Sequence, residues 1–137
     1  ELVGSDTNSI QPGKRPLSSM TPTIVLKNKK PFLVIGSPGG STIITTTMQV
    51  ILNVVVFGMD IKEAVSSPRF HSQWLPDMIM TEPRGLSKDV IKTLVSRGHT
   101  LTPYRWGYIG EANGILIGKN GFYGGGDTRG ETSSAGY

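Results

Sequence analysis

The chain has 137 residues, no cysteine, and 14 Lys and Arg against 10 Asp and Glu, for a net charge of +4. That length suits one ordinary domain or a piece of a larger one, and the lack of thiols excludes a disulfide framework and thiolate metal sites. The basic excess does not point to nucleic acid, because Lys14, Arg15, Lys27, Lys29 and Lys30 fall in and around turns without interleaved stacking aromatics.

Residues 1–22 read as an extended lead-in punctuated by Pro12, Gly13 and Pro16, and residues 23–137 as an α+β body. With no starting Met, no signal segment and few apolar side chains at its start, the chain is expected to be a processed or excised product. Thr23 to Lys27 is a β-type run, Asn28-Lys29-Lys30 a polar turn, and Phe32 to Ile35 the returning strand of a hairpin. A long helix is expected from Ser41, an N-cap residue type, to about Phe57, with Gly58 as its stop. Its apolar stretch Met48 to Met59 is too short to span a bilayer, and Gln49 and Asn53 interrupt it on one face, so it reads as a buried core helix.

A second helix is expected from Asp60 to Ser66, with Asp60 and Glu63 at capping-box spacing and Pro68 beyond its end. Met78 to Glu82 reads as a strand. Ser87 to Arg97 reads as a third helix with Val90, Ile91, Leu94 and Val95 on its apolar face and Gly98 ending it. His99 to Tyr104, Ala112 to Ile117 and Gly121 to Tyr123 complete the strands, the last two joined as a tight hairpin. Hairpins flanking consecutive helices give a mixed α+β fold on largely antiparallel sheet, without the alternation of a doubly wound nucleotide fold.

The chemistry concentrates in a few places. Gly36-Ser37-Pro38-Gly39-Gly40-Ser41 follows an apolar run and opens into the long helix. The first N–H groups of a helix lack intrahelical partners and carry the positive end of its dipole. Such a turn can be plain geometry, a phosphate cradle or an oxyanion hole. The lysine a P-loop needs is missing. Ser18 and Ser19, adjacent hydroxyls behind Pro16, can both donate to one carboxylate, or can form a solvated turn. His71 is an acid–base candidate by residue type, but with Phe70 and Trp74 beside it and no second histidine at metal-ligand spacing it reads as a structural histidine in a packed corner. Asp127 and Arg129 are expected to brace each other or nearby backbone, in preference to the alternative of a catalytic carboxylate. There is no G-x-S-x-G elbow and no serine triad, so the chain carries parts of a site without an activated nucleophile.

Four motifs in order carry a family resemblance: Pro16-Leu17-Ser18-Ser19-Met20-Thr21-Pro22-Thr23-Ile24-Val25, Gly36-Ser37-Pro38-Gly39-Gly40-Ser41, Pro68-Arg69-Phe70-His71, and Gly126-Asp127-Thr128-Arg129. Together they resemble the gamma-glutamyltransferase (gamma-glutamyl transpeptidase) family, in its bacterial form, over the C-terminal part of the small subunit. The resemblance runs to the terminal Ala135-Gly136-Tyr137. It implies an N-terminal-nucleophile hydrolase fold, an αββα sandwich of which this chain supplies part. It also implies a self-cleaving precursor whose new N-terminal threonine attacks γ-glutamyl amides and passes the acyl group to water or to amino-acid or peptide acceptors.

By the same resemblance, Gly39 and Gly40 supply the oxyanion-hole N–H groups, and Ser18 and Ser19 bind the α-carboxylate of the glutamyl group. No cofactor or metal is implied. The implied partners are the remaining small-subunit segment, the large subunit and glutathione or another γ-glutamyl substrate, in a periplasmic or secreted location. The chain departs from the family at its start, with Glu1 in place of the Thr-Thr-His-type beginning, and at Thr128, where proline is usual. Thr45-Thr46-Thr47 lies within the expected helix and cannot replace the nucleophile, so the chain alone is expected to be inactive. The alternatives are a non-catalytic structural relative, or an anion-binding module built on Gly36 to Ser41.

Overall fold

The computed structural model describes residues 5–16 and 20–135. After a single 3-10 turn at Asp6–Asn8, strands β1 (Thr23–Lys27) and β2 (Lys30–Gly36) form the first hairpin. Asn28 and Lys29 both take positive φ, 54° and 61°. That is the two-residue turn whose twist matches the flanking strands, so β2 begins at Lys30, earlier than its apolar run indicated. Strands β6 (Asn113–Gly118) and β7 (Gly121–Gly126) form the second hairpin. The four make one antiparallel sheet in the order β1-β2-β6-β7, with Leu33 opposite Leu116 and Ile115 opposite Gly124.

Helix α1 (Ile43–Val55) is preceded by a 3-10 turn at Gly40–Thr42. Its buried face, Ile43, Thr46, Thr47, Val50 and Val54, recurs at helical spacing and covers one side of the sheet. Gly58 (φ 69°) ends it, and Met59 N–H reaches back to Asn53 O at 3.0 Å, closing the last turn. Gln49 and Asn53 tether α1 to the two segments after it. Gln49 Nε2 donates to Phe70 O at 2.8 Å and its Oε1 accepts from Phe70 N–H at 3.2 Å, while Asn53 Nδ2 donates to Ala64 O at 3.2 Å.

Helix α2 (Ile61–Ser66) starts at Asp60, whose Oδ1 accepts the Glu63 N–H at 2.8 Å. It sits on a glycine floor. A Cβ at Gly125 would lie 2.8 Å from Ile61 O, and one at Gly114 would lie 2.9 Å from Ile61 Cδ1. Leu33, Ile35, Val50, Val54, Ile61, Ala64, Val65 and Ala112 form the core between the helices and the sheet. On the opposite sheet face Ile24, Val34, Ile115 and Phe122 are exposed.

A smaller sheet, β3 (Phe70–His71), β4 (Ile79–Thr81) and β5 (Leu101–Pro103), flanks the main body, with β4 and β5 parallel across helix α3 (Lys88–Ser96). The expected apolar face of α3 exists in sequence, yet none of its residues is buried and Val95 is 56% exposed. Among the described residues no helix is long and apolar enough to cross a membrane.

Candidate functional site

The glycine turn is built by three anchors. Ser37 Oγ donates to Pro38 O at 2.7 Å and accepts Glu111 N–H at 3.1 Å, tying the turn to the segment before β6. Gly39 O accepts from both Thr42 N–H (3.2 Å) and Thr42 Oγ1 (2.9 Å), so its carbonyl turns inward at the start of α1. The third anchor is close packing: a Cβ on Gly39 (φ 136°) would lie 2.6 Å from Thr42 Oγ1 and 3.2 Å from the Gly110 Cα. Only glycine fits there. Gly40 (φ 59°) is left-handed too, but faces open space.

Gly39 and Gly40 are both exposed, and neither N–H donates to an acceptor among the described residues. Two free donors therefore precede α1 at the positive end of its dipole. Ser18 and Ser19 lie outside the described residues. The chain beyond them docks on α1 through Thr21 Oγ1, 3.1 Å from Thr47 Oγ1.

Behind the turn is a buried charge cluster. Arg69 Nη2 pairs with Asp127 Oδ2 at 2.7 Å, and Arg69 Nη1 donates to Ile109 O at 2.8 Å. Arg129 bridges two carboxylates: Nη1 meets Asp127 Oδ1 at 2.8 Å, while Nε meets Glu82 Oε1 at 2.8 Å and Nη2 meets Glu82 Oε2. Backbone N–H groups complete the acceptors, Ala112 on Asp127 at 2.7 Å and Ile109 on Glu82 at 2.6 Å. Burial pushes both carboxyls up, but hydrogen bonds from Arg129, with Arg69 on Asp127 and backbone N–H groups on both, outweigh it and hold them below their ordinary values. Arg129 is lowered by burial and raised further by Glu82 and Asp127, ending above its ordinary value. The cluster fixes Ile109 and Ala112, and so the loop that carries Gly110 against Gly39.

The expected brace between Asp127 and Arg129 is present. Its partners Arg69 and Glu82 are not legible in the sequence. Arg69 stands in a motif without a role of its own there, and Glu82 reads only as the end of a strand. For Arg69 the signal available was a charge set between Pro68 and Phe70, because an arginine is rarely buried without a partner.

His71 is buried, as its structural reading requires. Its Nδ1 lies 2.7 Å from Thr45 Oγ1 and its Nε2 2.7 Å from Gln73 Oε1. It forms the floor of a cavity of about 450 Å³ walled by Met78, Met80, Tyr104 and Trp106. Among the described residues no group of three His, Cys, Asp or Glu is placed to hold a metal.

The sequence profile of the family described as Gamma-glutamyltranspeptidase matches residues 1–137. The chain is 46% identical over 138 residues to the glutathione hydrolase proenzyme of Escherichia coli strain K12, covering 99% of this chain and 23% of that protein. It superposes on the Helicobacter pylori gamma-glutamyltranspeptidase T380A mutant with a TM-score of 0.84 and 52% identity, over 94% of this chain and 70% of the other. For the Pseudomonas nitroreducens gamma-glutamyltranspeptidase complexed with L-DON the TM-score is 0.85 and the identity 38%, over 98% and 70%. The fold is therefore that of the N-terminal-nucleophile hydrolases, with this chain supplying part of the sandwich. The chain belongs to the gamma-glutamyltranspeptidase family.

Proposed function

We propose that this chain is the C-terminal part of the small subunit of a gamma-glutamyltransferase and glutathione hydrolase, and that Gly39 and Gly40 donate its oxyanion hole. The observation that carries the reading is the pair of unengaged N–H groups on a turn whose carbonyl is locked inward by Thr42. Ser18 and Ser19 hold the α-carboxylate of the glutamyl group.

A threonine hydroxyl from polypeptide beyond these residues attacks the γ-carbonyl carbon. The carbonyl oxygen takes the negative charge facing the two N–H groups, and the amine leaves with a proton, giving a threonine ester. Water or an amine acceptor then attacks the ester carbon and restores the hydroxyl. Because the donors face the charged oxygen only as it forms, they lower the barrier; one such donor is worth about 3 kcal/mol.

The remaining small-subunit segment and the large subunit complete the site and cover the exposed sheet face of Ile24, Val34, Ile115 and Phe122. A periplasmic or secreted location goes with this reading. The purified 137-residue chain is expected to show no turnover of a chromogenic γ-glutamyl anilide above the blank, whereas the complete autoprocessed protein turns it over. In that protein Ser18→Ala combined with Ser19→Ala raises KM for the anilide. Turnover by the chain alone, or an unchanged KM in the double variant, contradicts the assignment.

A further inference from the structure

Beside Gly39 lies an open recess of about 280 Å³ lined by Pro38, Gly39, Tyr108, Gly110, Glu111 and Arg129. It holds two charged side chains of very different standing. Arg129 is fully engaged: Nε and Nη2 on Glu82, Nη1 on Asp127 and Val65 O, and Nη2 also on Ser67 O at 2.9 Å. With Arg69 it balances two carboxylates, so the cluster behind the recess is neutral. Glu111 is half-buried, and its carboxylate has no cationic or hydrogen-bonding partner among the described residues.

The backbone that carries Glu111 is nonetheless held in place. Its N–H donates to Ser37 Oγ at 3.1 Å, within the turn that presents Gly39. The preceding Gly110 is left-handed (φ 67°), and a Cβ there would lie 2.5 Å from Thr46 Oγ1 and 2.9 Å from Ser37 Oγ, so the loop is pressed against both the turn and α1. Glycine at 130 makes room for the carboxylate: a Cβ there would lie 2.1 Å from Glu111 Oε1. The backbone of Glu111 is thus fixed, and its carboxylate, at the recess and without a cationic partner among the described residues, is open to a cation that enters there.

We propose that Glu111 binds the ammonium group of the amine acceptor and thereby sets the balance between transfer and hydrolysis. This rests on the γ-glutamyl-transfer reading above. In the tetrahedral intermediate of transfer, the oxyanion and the incoming nitrogen are bonded to the same carbon. A recess that shares Gly39 with the oxyanion hole is therefore where the nitrogen arrives. The acceptor ammonium gives one proton to the Glu111 carboxylate, and the free amine forms the C–N bond. The C–O bond to threonine breaks, the threonine oxygen takes a second proton from the nitrogen, and Glu111 returns its proton to water. The like charge of Glu111 disfavours acceptors whose own carboxylate sits next to the amine.

The test uses the complete autoprocessed enzyme with a γ-glutamyl anilide donor, glycylglycine as acceptor, and Glu111→Gln. Loss of a charge-assisted contact that also takes the proton is expected to lower the ratio of transfer to hydrolysis at least about tenfold, through a higher acceptor KM and a slower transfer step. Glu131→Gln, exposed and outside the recess, leaves the ratio unchanged, and Glu111→Asp recovers part of it. An unchanged ratio in Glu111→Gln, or equal proportional losses of hydrolysis and transfer, overturns the assignment of Glu111 while leaving γ-glutamyl hydrolysis intact as a reading. No donor hydrolysis by the wild-type enzyme overturns both.

Discussion

Asp127 and Arg69 lie 58 positions apart in the chain and form a buried ion pair of 2.7 Å, with both side chains almost wholly shielded from water. The pair fastens the last strand to the segment after α2 and, through Ile109 and Ala112, to the loop against the glycine turn. Removing one member strands the other as a buried charge. Asp127→Asn is expected to cost about 3–5 kcal/mol, measured by denaturant unfolding of the complete protein. A loss below about 1 kcal/mol would show that solvent relaxes into the site.

The same cluster sets the acid limit of stability. Glu82 and Asp127 both titrate below their ordinary values in the fold. Their stabilisation is therefore complete above the unfolded-state carboxyl range of about 4 and is lost as pH falls through the lower folded values. Unfolding followed by circular dichroism should show stability dropping below about pH 4, and Asp127→Asn should make that acid limb shallower. An equally steep limb in the variant would place the titration elsewhere.

Gly39 and Gly40 should differ in their tolerance of substitution. An alanine at Gly39 collides with Thr42 Oγ1 and the Gly110 backbone, whereas one at Gly40 meets nothing and carries only left-handed strain, of about 1–2 kcal/mol. Displacing an oxyanion donor lowers kcat about 10²–10³-fold. Steady-state kinetics of the complete enzyme should show a loss of that order for Gly39→Ala and a markedly smaller one for Gly40→Ala. Equal effects would argue against the packing account of Gly39.

Gly125→Ala tests the glycine floor under α2. The added methyl would sit 2.8 Å from Ile61 O, which cannot yield without moving the helix. A loss of about 1–3 kcal/mol is expected from such overpacking, against little change for alanine at the open Gly36. Similar melting temperatures for the two variants would contradict it.

Local signals carried much of this fold. The cap at Asp60, the stop at Gly58 and strand β1 are each decided by residues within one turn or strand, and they form as read, whereas the first hairpin turn closes over Asn28-Lys29 alone and leaves Lys30 to β2. The cluster of Arg69, Glu82, Asp127 and Arg129 joins segments distant in sequence, and no local pattern pairs them. Helix α3 shows the converse. Its amphipathic spacing was legible, but the spacing does not bring burial: Val90, Ile91 and Val95 stay exposed. At the site, the glycine turn was visible as a motif, while the demand for glycine at Gly39 came from Gly110, far along the chain. Glu111 had no sequence signal beyond its charge.

The most direct measurement is a crystal structure of the complete enzyme with a glutamate-like covalent inhibitor that leaves an oxygen on the reacting carbon. That oxygen is expected within about 2.7–3.1 Å of both Gly39 N and Gly40 N. An oxygen facing other donors, out of hydrogen-bond reach of both glycines, would contradict the assignment of the turn as the oxyanion hole.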